Sequence, residues 1–146
     1  MEPYIIAVIA ASLCITVCAA AAVFSIKTCA PALASVTSEK PELGSKLLIT
    51  IILGEALAIY GLLISFMIIA RLPEIETYDQ AIQTLLAAIT MSSTAVIASI
   101  GIAYCGPAMM SAATERPESF TTNILGLVLS EALAIYGLLI AFMLNG

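Results

Sequence analysis

Two glutamates stand deep in stretches that are otherwise apolar. Glu55 lies in the run from Leu47 to Ala70, and Glu131 in the run from Thr121 to Leu144. Each is 14 residues beyond a proline, Pro41 and Pro117 respectively. At 1.5 Å per helical residue that is a rise of about 21 Å, which puts each carboxyl near the middle of a bilayer whose hydrocarbon is about 30 Å thick. A fixed charge at that depth costs about 2.5–3.5 kcal/mol on insertion scales, so the neutral, protonated acid is favoured. An acid that is neutral in lipid and ionises where it meets water can carry a proton, or a cation in its place. Glu55 and Glu131 are the candidate ion-binding residues.

Three further side chains belong to the same question. Tyr60 and Tyr136 lie five residues beyond the two glutamates, not quite on the same helix face but within reach of a long side chain. Their hydroxyls can bond a carboxylate directly or through water, and simple aromatic packing is the alternative. Folding the first hairpin about Lys40 and Pro41 brings Ile26 level with Glu55, with Lys27 beside it. A Lys27–Glu55 pair would keep Glu55 ionised and leave Glu131 as the sole carrier. The alternative is that Lys27 snorkels toward the cytoplasmic face.

Other chemistry is excluded. There is no histidine, and Cys14, Cys18, Cys29 and Cys105 fall inside helical runs without a CxxC spacing, so they read as small packing residues and no metal site is expected. No catalytic triad, phosphate loop or basic patch supports a soluble enzyme or a nucleic-acid partner. No cofactor is implied, and no residue is assigned a catalytic role.

The elements that position these residues follow from composition. The 146 residues are 62% hydrophobic and 10% charged, with a mean hydropathy of +1.12. Soluble domains are about 45–50% apolar and about 25% charged. Four apolar stretches each exceed the roughly 20 residues that a spanning helix needs. The expected fold is an all-α membrane protein of four transmembrane helices, at about 5–37, 45–70, 81–113 and 121–145. The N-terminal stretch has no basic flank and is about twice as long as a signal-peptide core, so it reads as a retained first helix. Lys40, Lys46 and Arg116 flank the first and third connections, whereas Arg71 in the middle one is outnumbered by Glu74, Glu76 and Asp79. Basic residues at helix ends mark the cytoplasmic side, so both hairpin loops are expected there and both termini opposite.

The chain repeats itself at an offset of 76 residues. Gly54 to Met67 and Ser130 to Met143 share 12 of 14 positions, including Glu-Ala-Leu-Ala-Ile-Tyr-Gly-Leu-Leu-Ile. The same offset aligns Glu39-Lys40-Pro41-Glu42 with Glu115-Arg116-Pro117-Glu118, and Cys29-Ala30-Pro31-Ala32 with Cys105-Gly106-Pro107-Ala108. The units are tandem hairpins, 1–74 and 75–146, running parallel because an even number of crossings separates them. The first helix of each carries small residues at steps of three and four: Ala7, Ala11, Cys14, Cys18, Ala22, Ser25 and Cys29, then Gln83, Ala87, Thr90, Thr94, Ala98, Gly101 and Cys105. Such stripes let helix backbones approach closely in lipid. They suit either the inner wall of a ring or contacts within one four-helix bundle. Pro31 and Pro107 are expected to bend these helices or loosen their last turns.

This duplicated hairpin, with a mid-membrane Glu followed by Ile-Tyr-Gly and a polar loop holding a proline, resembles the proteolipid ring subunit of rotary ATPases in the four-helix form of V-type and A-type enzymes. The resemblance covers essentially the whole chain. It implies a ring of identical subunits embedded in lipid, turning past a membrane stator with an essential arginine and contacted by central-stalk subunits at the cytoplasmic loops. Glu55 and Glu131 would load an ion from one half-channel and release it to another, while ATP turns over in separate subunits, making this chain a non-catalytic one. Sodium-carrying relatives place Ser, Thr or Gln beside the glutamate and Gln on the neighbouring helix. Here Ala56-Leu57 and Ala132-Leu133 follow the acids, and Ile26 and Ile102 stand level with them, so the proton is preferred over sodium. Many four-helix relatives keep only the second carboxylate, and their inner helices are richer in glycine than this one. Two other functions weigh less. A small proton-coupled secondary transporter would want a cavity lined with aromatic residues, which make up 6% of this chain, and a purely structural membrane protein leaves both acids unexplained.

Overall fold

In a bilayer, a backbone without water must satisfy its own amide groups, and a lone apolar segment can do so only as a helix. The computed structural model, which describes residues 2–146, contains the four long helices expected from hydropathy. They are α1 (Pro3–Glu39), α2 (Pro41–Ala70), α3 (Tyr78–Glu115) and α4 (Pro117–Asn145). Among the described residues there is no strand. At 37 and 38 residues, α1 and α3 are about 55 Å long and extend well beyond the hydrocarbon.

The breaks have local causes. Lys40 and Arg116 each precede a proline, which disfavours helical backbone at the residue before it. Both leave the helical region, with φ −133° and ψ 77° at Lys40 and an extended φ −138° and ψ 94° at Arg116. Each following proline then opens a short 3-10 turn, Pro41–Leu43 or Pro117–Ser119. The start of α3 is fixed by a reciprocal cap, in which Thr77 accepts from the Gln80 amide and the Gln80 side chain accepts from the Thr77 amide. Pro31 and Pro107 lie inside continuous helix, which runs on to Glu39 and Glu115.

Helices α1 and α3 pack along each other, α2 lies against α1 and α4 against α3, and α2 and α4 touch at one side. All seven residues of the first small-residue stripe are buried. The second stripe is less enclosed: Ala87 and Ala98 are buried and Gln83 is exposed. A methyl on Gly61 would overlap Cys18, and one on Gly137 would overlap Thr94, so glycine on α2 admits α1 and glycine on α4 admits α3. At the next level the pairing is reversed between hairpins. Gly54 of α2 receives Ser25 of α1, whereas Gly101 of α3 receives Ser130 of α4. Small polar groups also bond across helices, as in Ser65 Oγ to the Ala11 carbonyl at 2.8 Å and Cys29 Sγ to the Ile102 carbonyl at 3.7 Å. Without a hydrophobic force between helices in lipid, such close approach and bonding supply the association.

Candidate ion-binding site

Glu131 is carried by α4 on the side that meets α2, and only 8% of its surface is exposed. The Tyr60 hydroxyl of α2 donates a hydrogen bond to its Oε1. A hydroxyl placed on a carboxylate in a low-dielectric setting offers a partner where water is scarce, and a buried acid without one is costly. Leu127 and Ala134, four residues before and three after Glu131, are fully buried on the same face of α4. The site is thus a carboxyl and one phenol in an apolar seam between the two hairpins.

The other candidate residues occupy different settings. Glu55 is exposed on α2, and Tyr136 is 61% exposed on α4. Neither tyrosine reaches the glutamate of its own helix, because five residues at 100° each turn the side chain about 140° around the axis. Lys27 is exposed, and its Nζ lies 4.7 Å from the centre of the Phe24 ring, a cation–π distance. Among the described residues Lys27 makes no ion pair with Glu55; the ion pair present is Arg71 with Glu74 at 3.7 Å. No cluster of His, Cys, Asp or Glu that could hold a metal occurs among the described residues.

The sequence of this chain matches the ATP synthase C-subunit family twice, over residues 9–68 and 85–144. The chain belongs to the ATP synthase C-subunit family. The two matched segments start 76 residues apart, since 85 minus 9 is 76, the offset at which the chain repeats itself. Glu55 and Glu131 occupy the same place in the two C-subunit segments, each 46 residues past its start. Curated relatives span most of the chain. It is 30% identical over 107 residues to the 16 kDa proteolipid of the V-type proton ATPase of Nephrops norvegicus, covering 72% of this chain and 67% of that one. The protein of the same name from Rattus norvegicus is 28% identical over 113 residues, 77% of this chain and 73% of its own. That of Ovis aries is 28% identical over 140 residues, 95% of this chain and 90% of its own.

Within the C-subunit segments and at their edges, some participants carry no distinctive sequence signal. Lys40 Nζ donates to the Thr114 carbonyl and Arg71 to the Asn145 carbonyl, so cations of the first hairpin cap helix ends of the second. Lys and Arg commonly serve helix C-termini, but the sequence does not say which helix they will serve. Ser130 precedes Glu131 directly, and its Oγ donates to the Gly126 carbonyl at 2.7 Å. The pairing of Tyr60 with the distant Glu131 has no signal in linear spacing, because the two are 71 residues apart.

Proposed function

We propose that this C-subunit family member is the membrane rotor element of a rotary ATPase and carries protons on Glu55 and Glu131. In this reading its two hairpin units, 1–74 and 75–146, repeat around a ring of identical copies that turns past a stator arginine. Each acid takes a proton from one half-channel, crosses lipid in its neutral form and gives the proton up at the other. Rotation couples that transfer to ATP turnover in separate subunits, with about 2.3 kcal/mol available per proton for each 100 mV. Lys40, Lys46 and Arg116 at the hairpin loops favour a cytoplasmic position for those loops, where stalk subunits would attach.

The observation that carries this reading is the enclosed Glu131 with the Tyr60 hydroxyl on its Oε1, set between two family repeats. It also favours the proton over sodium. A sodium ion needs several oxygen ligands, and the residues at the equivalent level of α1 and α3 are Ser25, Ile26, Gly101 and Ile102, with the Ser25 hydroxyl already turned back onto the Ala22 carbonyl at 2.9 Å. The test is ATP-driven acidification of vesicles holding the reconstituted complex. Glu131→Gln is expected to abolish it, and acidification at the unsubstituted rate would refute the proposal.

A further inference from the structure

Lys27 is the one charge in the apolar run of α1, and the ion site does not account for it. It is exposed, with its Nζ 4.7 Å from the centre of the Phe24 ring. The contact between α1 and α3 at this level shows what the repeat would place beside it. Cys29 Sγ donates to the Ile102 carbonyl at 3.7 Å, and a methyl on Gly106 would overlap Cys29. Thr28 lies one residue before Cys29, and Ala103 one residue after Ile102. The two helices run parallel, so a turn of 100° backward on one and 100° forward on the other points to the same flank of the seam. That flank holds a hydroxyl and a methyl, with no charge and no aromatic ring.

The same contact repeated between copies, with each residue exchanged for its counterpart 76 positions away, sets Cys105 of one copy against Ile26 and Ala30 of the next. On the corresponding flank stand Tyr104 (28 + 76) and Lys27 (103 − 76). Tyr104 is 76% exposed on the single chain. We infer that Lys27 is held between two aromatic rings in the assembly, Phe24 of its own chain and Tyr104 of the preceding copy. The inference rests on the ring of identical copies in the rotor reading, and not on which acid carries the proton. A fixed cation within lipid is costly, and the face of an aromatic ring offsets part of that cost where water is scarce. Ala30 stands where Gly106 does within the chain, so the seam between copies is more open there and has room for the two larger side chains. Seams within a chain lack both groups, and the cation between rings therefore marks the chain boundary.

The test follows purified rings as they come apart in a denaturing detergent, with the intact fraction read on native gels. Lys27→Met removes the charge and keeps an unbranched apolar side chain, and Tyr104→Leu removes the ring. Each is expected to speed dissociation about tenfold, as the loss of a cation–π contact away from water would. Lys27→Arg and Tyr104→Phe keep a cation and a ring, and both are expected to stay within about twofold of the unsubstituted protein. Lys27→Met combined with Tyr104→Leu is expected to add no further loss, because the pair is already broken. Apolar packing alone would leave Lys27→Met neutral or more stable. That result in an intact ring, or additive losses in the double variant, would overturn the contact while leaving the rotor standing. If the unsubstituted protein yields no ring, the rotor reading falls and the contact with it. A photo-crosslinking residue in place of Tyr104, in rings co-assembled from light and heavy-isotope copies, gives a second readout. Adducts joining position 104 to the Lys27 peptide of the other isotope support the arrangement, and adducts confined to one isotope contradict it.

Discussion

A carboxyl that crosses lipid must be neutral while it travels and must have a partner whenever it is charged. Glu131 has the burial for the first condition and the Tyr60 hydroxyl for the second. Replacing Tyr60 by Phe keeps the ring and removes the donor, and the expected result is slower proton release to the stator side and a lower maximal rate of ATP-driven acidification. A direct assay of acidification against ATP hydrolysis checks this, and an unchanged rate would show that the hydroxyl is a bystander. The two acids can be singled out in the sequence as candidates, because a glutamate in a long apolar run has few structural explanations. The partner of Tyr60 cannot: the five-residue spacing suggests a reach to Glu55, but it turns the two side chains about 140° apart, and the hydroxyl bonds Glu131 instead. What the tyrosine meets instead depends on how the second hairpin docks, and that is decided by packing between residues far apart in the chain.

The helices are set against one another by matched pairs of small residues. Ser25 fits over Gly54 in the first hairpin, and Ser130 fits over Gly101 in the second. Gly54→Ser alone would place a β-carbon 2.8 Å from Ser25 Oγ. Overpacking of this kind costs about 1–3 kcal/mol, so the variant is expected to lower the thermal midpoint of the protein in detergent. The double substitution Ser25→Gly with Gly54→Ser recreates the pair found in the second hairpin and is expected to recover most of the loss; failure to recover would mean that the two levels are packed differently. At the start of α3, Thr77→Ala removes the side-chain half of the cap and is expected to cost about 1 kcal/mol, measured by the same melting curve. The first small-residue stripe is readable from sequence because it is continuous and buried along its whole length. The second is buried only at Ala87 and Ala98, half-buried at Thr90, Thr94, Gly101 and Cys105, and exposed at Gln83 near the start of α3. Pro31 and Pro107 carry the sequence signal of a bend or a loosened end, yet helix continues for eight residues beyond each. A proline removes one backbone hydrogen bond, and packing along both flanks of a long helix can hold the remaining ones in place.

The molecule as a whole is two copies of one unit joined so that each exposes an edge. Four spans and a tandem repeat can be read from hydropathy and self-comparison, because both are properties of the linear sequence. The azimuth of each helix cannot, and it is the azimuth that buries Glu131 while leaving Glu55 and Tyr136 at the surface. Sidedness can be tested at this scale. A cysteine placed by Glu42→Cys or Glu118→Cys, at the two hairpin loops, is expected to react with a membrane-impermeant maleimide only when the cytoplasmic face is open to the reagent. Reaction from the opposite face would reverse the orientation drawn from Lys40, Lys46 and Arg116.

The central claim is that both glutamates bind and release protons within the membrane. It is tested most directly by treating the purified protein with a hydrophobic carbodiimide across a range of pH, with and without sodium, and mapping the adducts by mass spectrometry. Modification is expected at both Glu55 and Glu131, falling as pH rises and indifferent to sodium. Protection by sodium would contradict the proton assignment, and an absence of adducts at both positions would contradict ion carriage altogether.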